Sequence, residues 1–219
     1  MPEEYKNFSY IYPPRPENKI TTDQLDAWQA KGYFAQPKLN GSCCLLFMKD
    51  NKVRNFGRHH NENLKGKGAK DSFSLTAEQL NFLNPFPDEW MVLVGEYMNK
   101  SQNYKDGKPW NHKFVIFDIL VYKGEYLIGT TFEYRKNLLD ELYGQIEYDE
   151  FMYKISDNVF RVKTFYTDFK STWDKLVTID MFEGLVLKKI EGKLERGTRE
   201  TNNVGIQCKC RKATKNYSH

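Results

Sequence analysis

Five short segments set charged side chains at the end of, or inside, otherwise apolar runs. They are Lys38-Leu39-Asn40-Gly41, Gly95-Glu96, Phe114-Val115-Ile116-Phe117-Asp118, Glu183-Gly184-Leu185-Val186-Leu187-Lys188 and Lys209-Cys210-Arg211. A lysine or glutamate buried alone is costly unless it meets a partner or a ligand. Several such residues in one chain of 219 therefore point to a shared polar cleft. Three basic groups against two or more acids suit a nucleoside triphosphate with its metal. Each segment alone has a plainer reading: Lys-x-x-Gly is a common turn, Glu-Gly often just ends a strand, and Lys-x-Arg usually shows its charges to water. Order and spacing together carry the argument.

The elements that must position these residues can be read from periodicity. Alternating or continuous apolar runs predict strands over 33–38, 43–48, 53–56, 92–97, 113–121, 185–189 and 205–211, with turns at 49–52 and 123–125. Thr21-Thr22-Asp23-Gln24 resembles a capping box, with Leu25 and Trp28 on one face and Gly32 as a stop, so a short helix is expected there. Further helices are expected over 76–83, 131–143 and 169–179; the second is amphipathic, with Phe132, Leu138, Leu139 and Leu142 on or near one face. Residues 1–20 are rich in Tyr and Pro and read as an extended segment. The polar run 61–71, with Lys65-Gly66-Lys67-Gly68-Ala69-Lys70 at its heart, lacks the Gly-Lys-Ser/Thr of a phosphate loop and reads as a linker. Strands outnumber helices and come as turn-linked neighbours, which predicts an α+β fold with antiparallel sheets flanked by helices.

Composition sets the outer limits. Hydrophobic residues make up 40% and charged residues 28%, an ordinary globular balance. No apolar run approaches the roughly 18 residues of a membrane span, and the acidic start Met1-Pro2-Glu3-Glu4 lacks the apolar core of a secretion signal. The net charge of +4 permits a polyanionic partner without requiring one. The cysteines fall in two close pairs, Cys43-Cys44 and Cys208-x-Cys210, neither with zinc-knuckle spacing. They read as reduced thiols in a cytoplasmic protein, with Cys208 and Cys210 on one strand face and Lys209 on the other.

In order and spacing the five segments, with a sixth at Phe56-Gly57-Arg58-His59-His60-Asn61, resemble the motifs of the covalent nucleotidyltransferases: ATP-dependent DNA ligases, RNA ligases and mRNA capping enzymes. Lys38-Leu39-Asn40-Gly41 is similar to the nucleotidyl motif Lys-x-Asp-Gly. Phe56-Gly57-Arg58-His59-His60-Asn61 resembles the arginine motif, Val94-Gly95-Glu96 the third, and 114–120 the aromatic one. Glu183-Gly184-Leu185-Val186-Leu187-Lys188 is similar to the fourth and Gln207-Cys208-Lys209-Cys210-Arg211 to the fifth. The resemblance runs from about Ala35 to Arg211. It implies a single nucleotidyltransferase domain over 1–219, with an ATP-grasp-like ligase adenylation fold.

The resemblance also implies roles. Lys38 would attack the α-phosphate of ATP and carry AMP as a phosphoramide. Its amine must be deprotonated to do so, and nearby Lys188, Lys209 and Mg²⁺ are expected to favour that by charge repulsion. Phe117 would stack on adenine, Gln36 would read its amino group, Glu96 would bond the ribose, and Arg58 would touch the ribose or a nucleic-acid 5′-phosphate. Glu183, with Glu96 as a second carboxylate, would hold Mg²⁺ or Mn²⁺. Lys188 and Lys209 would clamp phosphate oxygens, with Arg211 on the triphosphate. The implied activity is sealing of 5′-phosphate and 3′-hydroxyl strand breaks by a monomer, on nicked duplex DNA in preference, with an RNA ligase as the alternative.

Two departures from the family pattern bear on this reading. Asn40 stands where the motif has Asp, and Cys43 where many DNA ligases carry arginine. The first leans toward an RNA ligase, and the second weakens a strict DNA-ligase reading. Against this, the run Gly129 to Lys136 followed by an amphipathic helix resembles the DNA-ligase segment after the aromatic motif. The chain stops eight residues after Arg211, too few for an OB barrel, so the expectation is an adenylation core without an OB-fold domain. A capping guanylyltransferase fits that expectation less well, and a nucleotide-binding module that has lost catalysis stays open through Asn40.

Overall fold

Asp50 and Asn51 hold φ at 52° and 55°, the backbone that closes a two-residue hairpin at the lowest cost for Asn and Asp. Lys123 and Gly124 repeat this at 48° and 76°. Around such turns the chain folds into two sheets. The computed structural model describes residues 16, 18–57, 76–98, 103–195 and 206–213. Most of the expected extended segment 1–20, Arg58 and the linker 61–71 lie outside the described residues.

In chain order the elements are β1 (Asn18–Lys19), a 3₁₀ turn (Thr22–Gln24) running into α1 (Leu25–Gln29), β2 (Tyr33–Leu39), β3 (Ser42–Lys49), β4 (Lys52–Gly57), α2 (Ala77–Leu83), β5 (Met91–Met98), β6 (Lys113–Tyr122), β7 (Glu125–Tyr126), α3 (Phe132–Tyr143), β8 (Met152–Lys154), β9 (Val159–Val162), α4 (Phe169–Leu176), β10 (Phe182–Lys189) and β11 (Gln207–Arg211). The helix starts follow their caps. The Thr21 N–H donates to Gln24 Oε1 at 3.0 Å, Thr76 Oγ1 accepts from the Gln79 N–H at 3.1 Å, and Thr131 Oγ1 accepts from the Tyr134 N–H at 3.1 Å. Each satisfies a backbone group that the first helical turn leaves open.

The small sheet has the order β1-β11-β10-β2, and the large one β4-β3-β5-β6-β9-β8 with β7 beside β6. Pairings are antiparallel except β1 with β11 and β6 with β9, which run parallel. The fold is thus α+β with mainly antiparallel sheets, and no closed barrel forms among the described residues. Among them, too, no helix is long and apolar enough to cross a membrane. One core cluster packs the large sheet, with Leu45, Leu93 and Ile119, against α2 and α3. The other gathers Ala35, Leu185, Leu187, Cys208 and Cys210 of the small sheet with Leu25, Phe169 and Leu176 of α1 and α4.

Candidate active site

Period-2 alternation sorts the small sheet into a packed face and a chemical one. Ala35, Leu185, Leu187, Cys208 and Cys210 are at most 1% exposed. The positions between them line a cleft of about 440 Å³: Gln36 and Lys38 on β2, Val186 and Lys188 on β10, Gln207, Lys209 and Arg211 on β11, and Lys19 on β1. Register explains their convergence. Lys38 pairs with Gly184 and Gln36 with Val186, Val186 pairs with Lys209 and Lys188 with Gln207, and Lys209 pairs with Lys19. Cross-strand partners present side chains to the same face. From the large sheet, Glu96, Phe117, Asp118 and Cys43 line the same cleft. Eight of the nine residues singled out in the sequence thus share one cavity; Arg58 lies outside the described residues.

Two cleft residues stand where the ladder slips. On β10 the register shifts between Phe182 and Gly184, and Glu183 occupies the extra position. On β6, Asp118 pairs with Val94 and Ile116 with Gly95, which leaves Phe117 as the extra residue. A bulge re-aims the side chain it carries, so the adjacent residues Phe117 and Asp118 both reach the cleft. Gly184 has φ of 146°, and a Cβ there would stand 2.1 Å from the Cys210 carbonyl oxygen. A side chain at 184 would separate β10 from β11. At Gly95 a Cβ would stand 2.5 Å from the Phe114 ring, and at Gly41 2.5 Å from the Tyr97 carbonyl oxygen. These motif glycines are therefore required by close packing.

Within the cleft, Lys38 Nζ lies 2.5 Å from Glu183 Oε2. Arg211 Nη1 stands 4.0 Å from the same oxygen, and the Glu183 carbonyl accepts from the Lys212 N–H at 2.8 Å. This alters the expected electrostatics: the sequence placed cations around Lys38, whereas the structure gives it a carboxylate partner. Glu96 Oε1 accepts from the Gly41 N–H at 3.1 Å and so braces the turn that follows Lys38.

The fold depresses the pKa of Lys188. Burial pulls it down to about 8, against the attraction of Asp118, and Arg135 adds to the lowering. Its Nζ donates to the Phe117 carbonyl at 3.1 Å and stands 5.3 Å and 5.2 Å from the Phe117 and Phe132 ring centres. Beneath it lies a pair that sequence reasoning assigned no role. Arg135, 0% exposed, grips Asp118 with Nε at 2.8 Å and Nη2 at 3.1 Å, while Nη1 donates to the Thr130 and Thr131 carbonyls. Burial raises the Asp118 pKa, but Arg135, Lys188 and the Ile119 N–H outweigh it and hold the carboxyl below the usual range. A signal for Arg135 was present: it falls three residues after Phe132 and three before Leu138, on the apolar stripe of α3.

Gln36, 5% exposed, donates its Nε2 to Thr164 Oγ1 at 3.1 Å. Thr164 comes from the loop after β9 and had no local signal in the sequence. Among the described residues no cluster of three or more His, Cys, Asp or Glu could hold a metal ion. With Asp118 held by Arg135, Glu183 and Glu96 remain as two further carboxylates in the cleft. That donor set suits Mg²⁺, which takes one or two carboxylates and completes its shell with phosphate oxygens and water.

The fold is that of ligase adenylation domains. It resembles a mycobacterial DNA ligase D complexed with ATP and MES, with a TM-score of 0.61 and 16% identity over 91% of this chain and 60% of that one. It also resembles the ligase domain of M. tuberculosis LigD, with a TM-score of 0.58 and 16% identity over 92% and 57%. A structure from work on Lig E DNA ligases gives a TM-score of 0.50 at 16% identity over 92% and 70%. The chain belongs to the ATP-dependent DNA ligase domain family, whose family model matches residues 17–204. It spans about 60% of the length of the mycobacterial ligase D structure. No curated protein matches it in sequence.

Proposed function

We propose that the protein is an ATP-dependent polynucleotide ligase that seals 5′-phosphate/3′-hydroxyl breaks, with nicked duplex DNA as the substrate. The single observation that carries this reading is the Lys38–Glu183 pair within a cleft lined by Gln36, Glu96, Phe117, Lys188, Lys209 and Arg211. Membership of an ATP-dependent ligase family supports it.

Lys38 has to leave Glu183 and give up a proton. Its Nζ then forms a P–N bond to the α-phosphate of ATP as the bond to the β-phosphate breaks and pyrophosphate departs. A 5′-phosphate oxygen next attacks the adenylate, breaking the P–N bond and returning the lysine. The 3′-hydroxyl finally attacks the 5′-phosphorus and releases AMP. Phe117 and Val186, one from each sheet, form the walls for a flat base. Gln36 Oε1 is buried with no hydrogen-bond partner among the described residues, which fits an acceptor for an exocyclic amine. Lys188, Lys209 and Arg211 supply positive charge where the phosphates carry negative charge. Glu183 and Glu96 would hold Mg²⁺ or Mn²⁺, which when bound neutralises charge on the pyrophosphate. The four free cysteines support action in the reducing cytoplasm, and we take the working unit to be a monomer.

Incubation with α-labelled ATP and Mg²⁺ tests the first step. A covalent adduct that vanishes in Lys38→Ala supports the reading; reversible binding without an adduct refutes it, and preferential labelling by GTP points to capping. Sealing of nicked duplex DNA compared with nicked RNA then fixes the substrate. Asn40, which lines the cleft in place of the motif carboxylate, makes RNA the necessary comparison.

A further inference from the structure

Two side-chain amides in the cleft each carry a buried polar atom without a hydrogen-bond partner among the described residues: Gln36 Oε1, an acceptor, and Gln207 Nε2, a donor. Gln207 is 2% exposed. A buried amide donor left unpaired is costly, so such an atom on a residue that lines the cleft marks a place where a ligand supplies the partner. The two glutamines stand on β2 and β11, on either side of β10. Gln36 is level with Val186 and Gln207 with Lys188, one step further along the same face. Strands flanking a third lie about 9.5 Å apart.

We propose that Gln207 is a specificity-determining residue, donating Nε2 to adenine N3 while Gln36 Oε1 accepts from the N6 amine. This rests on the adenosine reading of the cleft. N3 lies opposite C6 on the six-membered ring. An N6-to-N3 span of about 4 Å with a hydrogen bond of about 3 Å at each end covers about 10 Å, within about 2 Å of the roughly 11.5 Å that two strand spacings and one step along the face set between the two positions. N3 has a lone pair and no proton, so it suits a donor. Guanine presents an oxygen to Gln36 and an amine beside N3 to Gln207, and both contacts turn unfavourable.

The test measures dissociation constants in EDTA for ATP, 3-deaza-ATP and 7-deaza-ATP on the wild type and on Gln207→Leu. The wild type is expected to bind 3-deaza-ATP about tenfold more weakly than ATP. Gln207→Leu is expected to bind ATP about tenfold more weakly and to make no further distinction between ATP and 3-deaza-ATP. The loss of N7 is expected to change both proteins equally. A wild type indifferent to the loss of N3 overturns the proposal whatever the variant does. So does a variant in which the two losses simply add, since that marks a role in packing alone. If the wild type binds no ATP, the adenosine reading itself has failed. Gln207→Met, closer in length, serves if the leucine variant does not fold.

Discussion

Lys38→Ala deletes the amine that the proposed adduct requires. The expected outcome is complete loss of label from α-labelled ATP, with a fall in thermal stability because, among the described residues, the buried Glu183 keeps only Arg211 at 4.0 Å. Lys38→Arg is expected to be equally inert, because a guanidinium stays protonated at any working pH. Lys188 sets a pH dependence. Its folded pKa of about 8 lies below the ordinary 10.5, so between those values the unfolded chain holds a proton that the folded chain has released. Stability attributable to this residue therefore rises with pH across that window, and a buried charge weighs on the fold below it. Binding runs the other way. ATP affinity is expected to fall as pH climbs through about 8 and Lys188 loses its charge, and titrations of Lys188→Arg should lack that inflection. The order of the motif residues was legible because each strand contributes alternate positions to one face. The aim of Glu183 and Phe117 was not, because both stand at bulges, where alternation breaks. The resemblance placed Glu183 in the same site as Lys38; what it did not give was their direct ion pair, formed by residues 145 apart in the chain.

Between elements, the Asp118–Arg135 pair ties α3 to β6 directly under Lys188. Arg135→Leu leaves Asp118 buried and unpaired, and chemical denaturation is expected to show a loss of about 3–5 kcal/mol. The conservative Arg135→Lys cannot restore the bidentate grip and should recover only part of it. Gly184→Ala strikes a different contact: its Cβ would meet the Cys210 carbonyl oxygen at 2.1 Å, and the strain is expected to displace the bulge that carries Glu183. Adduct formation at a temperature where the variant remains folded is the measurement, and the expected result is a larger fall in labelling than in stability. Most strands and helices were readable from periodicity and caps, and their observed bounds differ from the expected ones by a few residues. The hairpin of β8 and β9 was not. Its strands have three and four residues, too short for alternation to register, and all four β9 positions are buried, Arg161 included. That arginine is held by Asp140 and the Gly144 carbonyl, partners from α3 and the turn after it that no local pattern reveals.

For the molecule as a whole, the net charge of +4 understates the field at the cleft, where Lys19, Lys38, Lys188, Lys209 and Arg211 share one sheet face. A nucleic acid held through on the order of five phosphates gives a salt slope near −4.5, a loss of roughly 500-fold between about 50 and 200 mM salt. Filter binding to nicked duplex at several salt concentrations checks this, and an unchanging affinity counts against it. The two sheets also differ in how far along the chain their strands must travel to meet. The run β3 to β7 pairs mostly neighbours in sequence, whereas the small sheet joins Asn18–Lys19 and Tyr33–Leu39 to Phe182–Lys189 and Gln207–Arg211. On a ribosome, where polypeptide emerges from its amino end, the large sheet can form early. The lysine and its counter-charge cannot meet until more than 180 residues have emerged, so a nascent chain carries Lys38 long before it has a cleft around it.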